Sequence, residues 1–168
     1  MKRSMGTLAL AVGLSLFFSC ATGTVAGNVS PAQNASYERA GFETRIDKGG
    51  RLWVFESGSK ALADYDGKGA PAKHIVRPLA GPGGITLKAA DGHTIDAYLL
   101  ARPGFVTRID KRGHLWVFES GSQALADYDS KGAPAKHTVR PLAGPKQMTI
   151  KAVDGAIIDQ YLQAAPYL

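Results

Sequence analysis

Leu52-Trp-Val-Phe-Glu-Ser-Gly-Ser59 recurs unchanged as Leu115-Trp-Val-Phe-Glu-Ser-Gly-Ser122, 63 residues further along the chain. Extending the match in both directions pairs 41–103 with 104–166, and 47 of the 63 positions are identical. A fixed internal period of this length marks a duplicated structural unit. The divergence is uneven: 6 of the 42 positions in 41–82 differ from their partners, against 10 of the 21 in 83–103.

The same stretch sets the local structure. Leu52 and Val54 alternate with Trp53 and Phe55, so both faces of this segment are apolar and it reads as a central strand covered on both sides. Upstream, 42–47 is rich in aromatic and β-branched residues, and Gly49-Gly50 suits a tight hairpin. Downstream, Ser57-Gly-Ser59 starts a helix with Ala61, Leu62 and Tyr65 on one stripe, ended by Lys68-Gly-Ala-Pro71. The stretches 74–79 and 85–89 read as a second hairpin joined through the Gly- and Pro-rich 80–84. Asp91 then caps a helix carrying Ile95, Tyr98 and Leu99, stopped by Pro103-Gly104. A hairpin turn at Asp91-Gly92 is the competing reading, and recurrence of the stripe at Ile158, Tyr161 and Leu162 favours the helix.

Each copy is therefore strand-strand-helix-strand-strand-helix, or two units of about 31 residues. Arg45, Arg77, Arg108 and Arg140 fall at similar places near the start of the four units. The expected fold is α+β, with an antiparallel sheet and helices packed on one face. One 63-residue copy alone buries a marginal core, so the two are expected to share one.

The 168 residues carry 20 Lys plus Arg against 14 Asp plus Glu, a net charge of +6. The single cysteine excludes an intrachain disulfide framework and a cysteine-only zinc site. Lys2 and Arg3 precede an apolar run over 8–18, shorter than the ~20 residues a membrane span needs, which is the pattern of a secretory signal. The signal ends after Ala26, where Thr24-Val-Ala26 offers small residues, or occupies 1–19 ahead of Cys20. The second option resembles a bacterial lipobox, with Ser19 before the cysteine, and makes Cys20 a lipidated N-terminus. Residues 27–40 then form a tether, followed by repeat 1 (41–103) and repeat 2 (104–168). Loss of the signal removes two positive charges, leaving +4, which disfavours nucleic acid as the partner of an exported protein.

Lys73, His74 and Arg77, repeated as Lys136, His137 and Arg140, are the candidate site for an anionic ligand. His74 and His137, with Asp64, Asp66, Asp127 and Asp129, are the candidate ligands of a divalent metal such as copper or zinc. The Asp64-Tyr-Asp-Gly-Lys-Gly69 segment starts like a calcium loop but has Lys68 and Ile75 where further oxygen ligands belong. No nucleophile elbow, zinc-protease helix, phosphate loop or dinucleotide fingerprint occurs. The leading expectation is an exported, non-enzymatic binding protein of the bacterial cell envelope, without a cofactor, whose partner is an envelope protein or an anionic ligand. A lipid anchor at Cys20 adds the membrane. The alternatives are a periplasmic metal-binding protein and a small hydrolase using residues such as Ser57, Ser59 and His74.

Overall fold

The computed structural model describes residues 37–167. The signal, Cys20 and most of the tether lie outside the described residues. The first copy runs β1 (Phe42–Ile46), β2 (Leu52–Glu56), α1 (Lys60–Lys68), β3 (Ile75–Arg77), β4 (Leu87–Ala89) and α2 (Gly92–Leu100). The second runs β5 (Phe105–Ile109), β6 (Leu115–Glu119), α3 (Gln123–Lys131), β7 (Thr138–Arg140), β8 (Ile150–Ala152) and α4 (Gly155–Gln163). Ser59 Oγ accepts from the Leu62 amide at 3.3 Å and starts α1. The Asp91 carboxylate accepts from the Thr94 amide at 2.9 Å, so this aspartate caps a helix and does not sit in a hairpin turn.

The architecture is the expected duplicated α+β module, with two details that differ. The strand orders are β1-β2-β4-β3 and β5-β6-β8-β7, and the central pair of each sheet is parallel while its outer pairs are antiparallel. The sheets are therefore mixed. The helices also cover opposite faces. Ile95 and Tyr98 of α2 pack with Leu52, Val54 and Leu87, whereas the Tyr65 ring of α1 lies 5.2 Å from Trp53 and 5.0 Å from Phe55. Both details have one cause. Two strand-strand-helix units joined through parallel central strands are related by a half-turn about an axis along those strands. That rotation preserves strand direction and turns the sheet over, carrying the second helix to the other face.

The four arginines tie each unit together. Arg45 binds Asp66 of α1 at 3.2 and 3.0 Å, and Arg77 binds Asp96 of α2. Arg108 binds Asp129 of α3 at 3.1 and 3.0 Å, and Arg140 binds Asp159 of α4. Each link joins the first strand of a unit to its own helix by a two-point guanidinium–carboxylate contact.

Each copy has its own cluster of buried apolar residues, and Ile109 packs against both. The copies meet along β5. Thr107 Oγ1 donates to the Ala97 carbonyl at 2.7 Å. Gly41, at φ +77°, lies so close to Val106 that an added Cβ would come within 2.3 Å of it. Arg102 donates to the carbonyls of Tyr161, Leu162 and Ala164 at 2.7, 3.0 and 2.6 Å, serving the open C-terminal carbonyls of α4. The seam leaves Arg108 only 4% exposed, against 37% for its counterpart Arg45.

Part of the divergence between copies follows this seam. Val106 at the contact is Glu43 on the uncovered β1, and buried Ala97 of α2 is exposed Gln160 on α4. Arg102, which serves α4, corresponds to Ala165. At the first two of these pairs an apolar or small residue at the seam is polar on the outer faces of β1 and α4, as in the capping repeats of linear arrays.

Candidate functional site

Behind β2, on the α1 side, a polar hub organises each copy. The Asp47 carboxylate accepts from the amides of Gly49 and Arg51 at 2.9 and 3.1 Å, from Arg51 Nε at 2.9 Å and from Trp53 Nε1 at 3.3 Å. Lys88 Nζ stands 3.4 Å from the same carboxylate and 5.0 Å from the Trp53 ring. Lys88 is buried, and this ion pair together with the ring face compensates its charge. Asp110, His114, Trp116 and Lys151 repeat the arrangement in the second copy. Burial pushes both aspartates upward, but the amide, side-chain and cationic donors outweigh it and hold both below the usual carboxylate range. The hub closes each hairpin and fastens it to the neighbouring unit. Its only sequence signal is an acid six residues ahead of each tryptophan.

The basic candidates do not converge. The His74 ring packs 5.0 Å from Trp53, and His137 lies 4.9 Å from Trp116. Their Nδ1 atoms face the carbonyls of Pro71 and Pro134 at 3.0 and 2.9 Å. Since a carbonyl only accepts, Nδ1 carries the hydrogen in each ring. Arg77 and Arg140 turn to the opposite face, where Asp96 and Asp159 hold them. Lys73 and Lys136 are exposed. Three residues close in sequence therefore point to solvent and to both sides of the sheet, because only the arginine lies on the strand, while the lysine and histidine belong to the segment before it.

The metal candidates are likewise dispersed. Asp64 is held by Lys60 and Lys68, and Asp66 by Arg45. Asp127 is held by Lys131 and Gln123, and Asp129 by Arg108. The two histidines pack on tryptophans of separate sheets, and among the described residues no group of three or more His, Cys, Asp or Glu is placed to hold a metal ion. Ser59 Oγ caps α1, accepting from the Leu62 amide. A cavity of about 700 Å³ runs along β1 and is lined by residues including Arg39, Phe42, Glu43 and Tyr167. Among the described residues no histidine, cysteine or serine lines it.

The surface that stands out lies elsewhere. β3 and β7 each close one end of a sheet and, among the described residues, pair on one side only. Ile75, Val76 and Val139 on these strands are exposed. The turn that follows, Pro78-Leu-Ala-Gly-Pro82, repeats as Pro141-Leu-Ala-Gly-Pro145. Its leucines sit in the left-handed backbone region, Leu79 at φ +55° and Leu142 at φ +56°. They are 77% and 70% exposed. A branched apolar side chain is disfavoured there on both counts. The turn is held firmly, since Gly81 N donates to the Ile85 carbonyl and Gly144 N to the Met148 carbonyl, both at 2.9 Å. In the sequence, 80–84 reads only as a joint between strands. Its available signal was the unbroken identity of 76–82 with 139–145, immediately before positions 83–85 diverge from 146–148.

Comparison with known protein families, with curated proteins and with solved structures finds no match, so the functional reading rests on this geometry.

Proposed function

We propose that the chain is an exported, non-enzymatic binding protein of the bacterial cell envelope that engages its partner through two equivalent surfaces, one on each copy. One observation carries the reading: the same rigid turn thrusts a strained, exposed leucine outward beside an open strand edge in both copies. Strained backbone that does not serve packing is characteristic of recognition sites. Many of the ionisable groups that chemistry would draw on are spent inside the fold, in the arginine–aspartate links and the Asp47 and Asp110 hubs. Export is supported by the basic, apolar and small-residue succession of 1–26, and Cys20 supports a lipid anchor. Duplicated surfaces raise the avidity for a partner that presents its motif twice, without any new contact.

The test is cross-linking of the full chain in its native envelope, followed by calorimetric titration of the purified partner with the purified chain. Two equivalent sites per chain are expected. A single site at the seam between copies, or turnover of a substrate by the purified chain, would overturn the reading.

A further inference from the structure

We propose that the edge strands β3 and β7, with the Leu79 and Leu142 turns, are docking sites for an extended, acidic segment of a partner polypeptide that adds to each sheet as a fifth strand. The inference rests on the two-surface reading above and names the site and the chemistry of its ligand.

Four observations support it. First, the outer edge of each strand has no strand partner among the described residues, so main-chain groups that pair with an incoming main chain stand at the rim. Second, Val76 and Val139 are 43% and 42% exposed, and with Leu79 and Leu142 they offer apolar contacts for alternate side chains of an added strand. Third, Lys73 and Lys136 stand exposed two residues before each strand, and neither has a carboxylate partner among the described residues. Arg77 and Arg140 are already neutralised by Asp96 and Asp159, so the unspent charge at each rim is positive and selects an acidic ligand.

Fourth, the leucines are presented at a conformational cost. Glycine would occupy φ near +55° without strain, yet leucine stands there in both copies. Immediately beyond the turn, the three positions Gly83, Gly84 and Ile85 have become Lys146, Gln147 and Met148. A side chain held outward by a turn closed with Pro78, Pro82 and the Gly81–Ile85 hydrogen bond loses little freedom on contact. A membrane surface could take up the leucines and lysines but would leave the strand edges unused.

The experiment uses the full chain and a fluorescein-labelled nine-residue peptide in which valine alternates with glutamate. Fluorescence anisotropy is expected to give two peptides per chain, with amide shifts mapped by NMR to 75–82 and 138–145. The Leu79→Gly/Leu142→Gly variant keeps a backbone that glycine adopts readily, so it is expected to fold as well as or better than the parent. It should bind the peptide at least tenfold more weakly. Methylation of alternate peptide amides should abolish binding, because the added strand can no longer donate. Equal affinity for the parent and the glycine variant, or for the methylated peptide, would overturn the proposal. Competition by phosphatidylglycerol vesicles would reassign the patch to lipid and overturn it as well. If an envelope partner occupies two sites and the glycine variant binds it unchanged, this inference fails while the two-surface reading stands. If no partner occupies two sites, the broader reading fails.

Discussion

Replacing Gly41 and Gly104 by alanine, one at a time, isolates the packing between the two copies. The residues are equivalent across the repeat and share a left-handed backbone, at φ +77° and +82°. Alanine there costs about 1–2 kcal/mol of strain, reduced by about 0.4–1 kcal/mol from the lower entropy of the unfolded chain. At Gly104 a Cβ meets nothing within 4 Å, so the net cost should be about 1 kcal/mol. At Gly41 the same atom would lie 2.3 Å from Val106 Cγ1 and 2.9 Å from Cγ2, and neither element can move freely because Arg108 and Thr107 anchor the seam. Overpacking of this kind adds about 1–3 kcal/mol. Scanning calorimetry of the full chain should show a melting temperature lowered by about 4 °C for Gly104→Ala and by roughly 8–16 °C for Gly41→Ala. Val106→Ala removes the clashing methyls, so in the Gly41→Ala background it should restore at least ~1 kcal/mol in a double-mutant cycle. Equal losses for the two glycine variants, with no rescue by Val106→Ala, would refute the seam.

Further outcomes follow from the same geometry. Arg108→Ala should cost about 3 kcal/mol, the low end for a broken buried pair, because Asp129 and Glu56 keep access to water. Arg45→Ala, at a link open to solvent, should cost under ~1 kcal/mol by chemical denaturation. Asp47 and Asp110 have folded pKa values below their unfolded ones. Their contribution is therefore full above about pH 4 and is lost as pH falls through the lower folded values. An Asp47→Asn/Asp110→Asn variant should be less stable at pH 7, and its stability should fall less steeply below pH 4 in urea titrations at stepped pH. Glu43→Val combined with Gln160→Ala gives the outer faces of β1 and α4 the residues found at the seam. Sedimentation should show concentration-dependent head-to-tail association above that of the parent, and unchanged sedimentation would count against the capping argument.

The period of 63, the order of elements and both helix caps were legible because each depends on local chemistry: Ser59 and Asp91 act within three residues of themselves. The four-fold recurrence of arginine was legible too, but its purpose was not. The aspartates it meets lie 19 or 21 residues away on helices whose facing depends on how the units join. The parallel pairing of β2 with β4 and the coverage of opposite faces arise from that joining, a long-range choice with no local pattern. The basic cluster looked continuous at 73–77 because a linear reading does not assign His74 to Trp53 and Arg77 to Asp96. The differences of Glu43 from Val106 and of Gln160 from Ala97 acquire a reason only from the seam, which covers one member of each pair and leaves the other exposed.

Amide hydrogen exchange of the full chain, alone and saturated with a partner identified by cross-linking, tests the two-surface account most directly. The account predicts new protection in both 75–82 and 138–145, equal in extent and complete only when two partner segments are bound. Protection confined to one copy, or to the Gly41–Val106 seam, would contradict it.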